Sequence, residues 1–73
     1  MTQFDYSVLR GKIIEKYSSQ KRFAKALGIS ERSLSLKLNN EVGFTQREIL
    51  KCSTLLKEPL ERIIPLFFTY KVQ

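Results

Sequence analysis

Apolar residues recur every three or four positions along most of the chain, which is the spacing of amphipathic helices. Capping residues, glycines and prolines mark the ends of these segments. Together the signals predict five short helices. They run over about residues 6–17, 20–27, 31–38, 46–57 and 59–64.

The second and third predicted helices are separated by a very short turn. Gly28 favours the positive φ of a sharp helix end, and Ser30 is a good N-cap for the next helix. Ala24 is small enough for the two helices to cross closely, and Ile29 can fill the angle between them. Leu34 and Leu38 then face the interior, one helical turn apart.

The fourth predicted helix has the clearest start signal in the chain. Thr45 and Glu48 form the T-x-x-E pattern of a capping box, and Phe44 with Ile49 can form the hydrophobic staple beside it. Cys52 falls on the inner face of this helix and is therefore predicted to be a core residue.

The C-terminal region is predicted to change character at a proline. Pro59 suits the first turn of a fifth helix, and Pro65 is expected to end it. From Phe67 to Gln73 apolar and polar residues partly alternate, which is a weak signal of extended chain. The sequence therefore predicts one domain over residues 1–73. It is all-α, a compact bundle of five helices with a short extended C-terminal tail.

Composition excludes several classes of function. The chain of 73 residues has one cysteine and no histidine, so neither an internal disulfide nor a zinc site is expected. Its apolar runs, such as 63–68, are too short to span a bilayer, and a cytoplasmic location is expected. No phosphate loop or catalytic pair of side chains occurs, so we expect no enzyme activity, no cofactor and no small-molecule substrate.

The net charge of +6 is concentrated in the first half of the chain. Residues 1–40 carry eight basic and three acidic side chains, a balance of +5, whereas residues 41–73 carry five and four, a balance of +1. A polyanion is one partner that this distribution favours. The alternative is a basic surface that only maintains solubility.

The segment from Gln20 to Leu34 resembles the helix-turn-helix of the lambda-repressor and Cro superfamily. The downstream segments 34–40, 44–49 and 67–68 resemble short Cro-like proteins of temperate phages of Gram-positive bacteria, and the nearest likeness is to their modulator-of-repression proteins. The resemblance implies a helix-turn-helix over about residues 19–39 and a role in the lysis–lysogeny switch. Such proteins bind operator DNA, the lysogeny repressor, or both.

One position departs from the superfamily pattern. Three residues after the position of Leu34, much of the superfamily has an apolar residue, whereas this chain has Lys37 followed by Leu38. Because of this departure, the prediction of which residues of the third helix face inward or outward is uncertain by one position.

The candidate binding surface lies on the third helix and at the start of the second. In this fold the third helix enters the major groove, so an outward Arg32 is expected to contact guanine, Ser35 a base, and Lys37 a phosphate. By resemblance, Gln20 occupies a phosphate-binding position. The full set of candidate DNA-binding or partner-binding residues is Gln20, Lys21, Arg32, Ser35, Leu36, Lys37, Asn39 and Asn40.

Two residues of the third helix weaken the DNA interpretation. Leu36 is expected to face solvent, where it could touch a thymine methyl group or form the centre of a protein interface. Glu31 would repel phosphate, although a carboxylate can accept from cytosine. Asn39 and Asn40 could likewise bind a partner or simply end the helix. The tail aromatics Phe67, Phe68 and Tyr70 are expected to be mainly core, with a repressor or dimer contact as the alternative.

Two functions therefore remain open. A direct operator-binding regulator predicts salt-dependent DNA binding and a homodimer that reads paired half-sites. An anti-repressor or co-repressor predicts a monomer that binds DNA weakly and forms a complex with the DNA-binding domain of the lysogeny repressor.

Overall fold

Five helices fill most of the computed structural model, which describes residues 3–71. They are α1 (Ser7–Tyr17), α2 (Gln20–Leu27), α3 (Glu31–Leu38), α4 (Gln46–Leu56) and α5 (Leu60–Phe68). α2 packs against α1, α3 and α4, and α5 packs against α4 and α1. The all-α fold is as predicted. No helix between residues 3 and 71 is long and apolar enough to cross a membrane.

The core contains apolar side chains from all five helices. Each fully buried large side chain contributes about 1.5–3 kcal/mol relative to an exposed one. The thiol of Cys52 lies among them, as predicted, and burial raises its pKa to about 12. The largest fully buried side chains are Phe23, Phe67, Leu9, Ile13, Leu34, Leu56, Ile63 and Cys52.

Side-chain caps fix the starts of three helices. The hydroxyl groups of Ser19 and Ser30 each accept a hydrogen bond from the backbone N–H three residues later, at 3.1 Å and 3.0 Å. In α4 the Glu48 N–H donates to the Thr45 hydroxyl at 3.1 Å, and the Thr45 N–H donates to the Glu48 carboxylate at 2.8 Å. The predicted capping box is therefore confirmed.

α5 is longer than the sequence predicts. Pro65 was expected to end the helix, but it lies inside it, and the helix continues to Phe68. An interior proline costs about 3 kcal/mol. Continuation of the helix buries Leu66 and Phe67 against the core, at about 1.5–3 kcal/mol each, which offsets that cost.

The extended tail begins at Thr69 rather than at Phe67. Tyr70 forms an isolated antiparallel bridge with Phe4, and the Asp5 N–H donates to the Thr69 carbonyl at 2.6 Å. The N-terminal segment and the tail therefore hold each other against the bundle. The last two residues of the predicted tail, 72 and 73, lie outside the described part of the chain.

Gly11 lies in the middle of α1, and its replacement by alanine should stabilise the protein. A Cβ built at this position meets nothing within 4 Å. Gly11→Ala is therefore expected to raise the free energy of unfolding by about 0.5–1 kcal/mol, measured by urea denaturation. Gly28→Ala is the control, because φ is 87° there and the substitution should destabilise. A less stable Gly11→Ala variant would contradict the prediction.

Candidate functional site

The turn between α2 and α3 sets the direction of α3. Gly28 adopts the left-handed conformation, and its N–H donates to the Ala24 carbonyl at 2.9 Å. The Ile29 N–H donates to the same carbonyl at 3.0 Å, and its side chain packs against the core. Leu34 and Leu38 are buried as predicted. The opposite side of α3 is thereby turned away from the bundle.

Three of the predicted contact residues share this outward side of α3. Arg32 is exposed, and Ser35 and Leu36 are partly exposed. Glu31 is also exposed and occupies the first turn of the helix, where a carboxylate suits the helix dipole. We call Glu31, Arg32, Ser35 and Leu36 the outer face of α3. It carries one acid and one base.

Lys37 does not lie at the exposed edge of this face, so the prediction that it contacts a phosphate from there is wrong. Its residue is only 7% exposed, and its ammonium donates to the Gly43 carbonyl at 2.9 Å. The same ammonium forms an ion pair with Glu48 at 3.0 Å and lies 5.8 Å from the centre of the Phe44 ring. Lys37 therefore occupies the inner position that is apolar in much of the superfamily, and its charge is neutralised inside the fold.

Leu36 is half-buried rather than open to solvent. The loop after α3 turns back past it, because the N–H groups of Glu41 and Val42 both donate to the Leu36 carbonyl, at 2.9 Å and 3.4 Å. The expectation that Leu36 faces solvent is therefore only partly right. Leu36 still contributes apolar surface at the edge of the outer face.

The two asparagines after α3 take part in intramolecular bonds. Asn40 has a φ of 64°, and its side-chain amide accepts from the Phe4 N–H at 2.8 Å and donates to the Phe4 carbonyl at 3.0 Å. The exposed Asn39 accepts from the Arg10 guanidinium at 2.9 Å. Asn40 thus joins the end of α3 to the N-terminal segment, and only Asn39 remains on the surface near the outer face.

The remaining predicted residues lie at the start of α2. Ser19 provides the cap of this helix, so Gln20 is not needed for capping; Gln20 is partly exposed and Lys21 is exposed. Both are placed where α2 begins, as the sequence predicts. Their predicted contacts with phosphate stay predictions.

Sequence reasoning missed two interactions that hold this region. Arg10 of α1 donates to the Leu38 carbonyl at 3.2 Å, at the C-terminal end of α3. Lys51 of α4 donates to the Leu27 carbonyl at 3.3 Å, at the C-terminal end of α2. A cation near the C-terminal end of a helix is stabilised by the negative end of the helix dipole. No local pattern reveals them, because each joins residues more than twenty positions apart.

The site holds no cluster of side chains suited to bind a metal ion. Among residues 3–71 no group of three or more His, Cys, Asp or Glu side chains comes together. The outer face of α3 is nearly neutral, with one exposed acid and one exposed base. Such a surface suits a macromolecular partner.

Comparison with known proteins identifies the family. A family model described as "Protein of unknown function (DUF739)" matches residues 1–70. The solution structure of the modulator of repression of the temperate bacteriophage TP901-1 from Lactococcus lactis is 47% identical in sequence, with a TM-score of 0.79. The match covers 96% of this chain and 95% of that one.

This chain belongs to the family of phage modulator-of-repression-like proteins. The resemblance seen in the sequence is therefore confirmed. The solved relative is named as a modulator of repression, which supports a role in the regulation of repression. No curated protein matches the chain.

Proposed function

We propose that this modulator-of-repression-like protein acts by binding the DNA-binding domain of a phage lysogeny repressor through the outer face of α3. It would do so in the cytoplasm of the bacterial host, as part of the lysis–lysogeny switch. The proposed action is binding alone, without enzyme activity. The observation that carries the proposal is the low charge of this face.

The charge of α3 argues for a protein partner. A helix that binds DNA uses cations and amides to hold phosphates and bases. Here Lys37 is neutralised by Glu48, Asn40 is bonded to Phe4, and Arg32 is left with the acidic Glu31 as its neighbour. A repressor's DNA-reading surface is basic, so Glu31 is suited to contact it and to compete with DNA for it.

Direct binding of operator DNA through the same face is the second candidate. Arg32 is exposed and can bind guanine through two hydrogen bonds, which contributes about 1–3 kcal/mol of discrimination. Lys21 at the start of α2 can contact phosphate. This candidate also predicts a homodimer, since one domain of this size reads few base pairs.

A charge reversal at Glu31 distinguishes the two candidates by the sign of its effect. If the partner is a basic repressor surface, Glu31→Lys should weaken the complex at least tenfold, because it places like charges together. If the partner is DNA, the same change should strengthen binding. The measurement is a gel shift of switch-region DNA at two salt concentrations, with and without the repressor, complemented by titration calorimetry of the repressor domain.

Glu61→Lys is the matched control. Glu61 is an exposed glutamate in the first turn of α5, so the substitution makes the same change of charge in the first turn of another helix. It should leave repressor binding within about twofold. The proposal fails if the wild-type chain shifts switch-region DNA alone and does not bind the repressor. It also fails if both charge reversals weaken the repressor complex equally.

A further inference from the structure

The two ends of the described chain pair with each other in antiparallel directions. The Asp5 N–H donates to the Thr69 carbonyl at 2.6 Å, and the Lys71 N–H donates to the Gln3 carbonyl at 3.1 Å. A two-stranded pair as short as this one is marginal in water by itself, so it needs support from the rest of the fold. We call this pair the terminal strap, and it consists of residues 3–5 and 69–71.

Asn40, at the end of α3, supports the strap from its other edge. The backbone polar groups of Phe4 point away from the tail. The Asn40 side-chain amide accepts from the Phe4 N–H at 2.8 Å and donates to the Phe4 carbonyl at 3.0 Å. The amide therefore takes the place of a third strand, and it satisfies both backbone groups of Phe4.

Asn40 is also the first residue of the loop between α3 and α4. Its φ of 64° is left-handed, a conformation that asparagine tolerates better than most residues. The next two N–H groups, those of Glu41 and Val42, both donate to the Leu36 carbonyl. One residue thus joins the terminal strap to the loop that turns back past Leu36.

Hydrogen bonds contribute more than apolar packing to holding the strap and the loop. Phe4 packs against the core, but Gln3, residues 69–71 and loop residues 41–43 are all exposed. Segments that bury little apolar surface open locally at a lower free energy than the rest of a protein. Because Asn40 belongs to the loop and bonds to the strap, we expect the two segments to open and close together.

We propose that the terminal strap is a conformational latch for the loop after α3, with Asn40 as its positioning residue. When the strap is closed, Asn40 fixes the start of the loop, and the loop holds the Leu36 end of the outer face of α3 in one conformation. When the strap opens, the loop is released from the Leu36 carbonyl. A preorganised face binds more tightly, because less has to be ordered on binding. This effect on binding rests on the proposed function, whereas the latch itself does not depend on a partner.

The first test breaks the strap on its tail side. Lys71→Pro removes the N–H that donates to Gln3, and Lys71→Ala is the matched control, because it removes the same charge and keeps that N–H. Hydrogen exchange of the ¹⁵N-labelled full chain is followed by NMR. Lys71→Pro should speed exchange of the Phe4 and Glu41 amides by about tenfold, and Lys71→Ala should leave both within about twofold of the wild type.

The second test breaks the strap on the side of α3. Asn40→Gly keeps the left-handed φ without strain but removes both bonds to Phe4. It should speed exchange of the Lys71 amide by about tenfold. Asn39→Gly makes the same substitution one residue earlier and should leave the Lys71 amide within about twofold of the wild type.

The Phe23 amide in α2 serves as the reference for global unfolding, because its bond to the Ser19 carbonyl lies outside the strap and the loop. The latch is overturned if Lys71→Pro leaves exchange at Glu41 unchanged. It is also overturned if the Phe23 amide changes by the same factor as the Glu41 amide, since the effect would then be global.

Titration calorimetry with the repressor domain measures the effect of the latch on binding. Lys71→Pro should bind about three- to tenfold more weakly than Lys71→Ala. Equal affinities of these two variants would overturn the role of the latch in binding. A wild-type chain that does not bind the repressor contradicts the proposed function instead, and the exchange rates still decide whether the latch exists.

Discussion

Phe67→Ala is expected to destabilise the protein by about 3–5 kcal/mol. The ring is 1% exposed, and its centre lies 4.9 Å from that of Phe44 and 6.3 Å from that of Tyr6. A domain of this size has a total stability of about 4–11 kcal/mol, so the loss takes a large part of it. Urea denaturation followed by circular dichroism measures the change.

Phe68→Ala is the matched control for this prediction. Phe68 is 50% exposed, although it contacts Phe4 edge to face, and its loss should cost less than about 1 kcal/mol. In α5 successive side chains point about 100° apart, which places Phe67 in the core and leaves Phe68 at the surface. Equal effects of the two substitutions would contradict this course of the chain.

Glu48→Ala is expected to lower the free energy of unfolding by about 2–4 kcal/mol. The substitution leaves the Lys37 ammonium nearly buried with only a carbonyl as its partner. It also removes the capping box with Thr45. Lys37→Met keeps the apolar stem and should cost less, about 1–2 kcal/mol. Lys37→Met combined with Glu48→Ala should recover stability relative to the sum of the single losses.

Urea denaturation of the two single variants and the double variant gives the coupling between Lys37 and Glu48. Glu41→Ala, at an exposed position in the adjacent loop, is the control and should change stability by less than about 0.5 kcal/mol. Losses that simply add would show that Lys37 and Glu48 are not energetically coupled.

The same pair contributes to acid stability. Partial burial alone would raise the pKa of Glu48, but the Thr45 N–H and the Lys37 ammonium outweigh it, and the pKa is lowered from its usual 4.5. A lowered pKa in the folded state stabilises the protein above about pH 4.5. That contribution is lost as the pH falls through the folded-state pKa. A double variant with Lys37→Met and Glu48→Gln should lose less stability over this range than the wild type.

Local signals predict the first four helices well because their causes lie within a few residues. The Thr45–Glu48 capping box and the αL Gly28 each depend on neighbours in sequence, and the structure shows both. α5 differs because its length is decided by long-range packing. Pro65 is a local stop signal, but burial of Phe67 against residues distant in sequence outweighs it.

The candidate site was harder to predict for a similar reason. The sequence alone predicts that Lys37 is a surface cation, whereas in the structure it forms an ion pair with Glu48 in the next helix. A signal was nevertheless present: a lysine at a usually apolar position, with a glutamate one helix later, indicates an internal ion pair. Asn40 is comparable, because its bonds to Phe4 join residues 36 positions apart. Arg32 was placed correctly because helical geometry alone decides its direction.

The most direct test of a repressor-binding modulator is an NMR titration of the ¹⁵N-labelled full chain with the DNA-binding domain of the cognate lysogeny repressor, and separately with switch-region DNA. We predict that the repressor domain shifts the amide signals of the outer face of α3, from Glu31 to Leu36, more than those of any other segment. DNA at physiological salt should perturb this face little. The account would be contradicted if the repressor domain left α3 unchanged while switch-region DNA shifted the signals of Arg32 and Ser35.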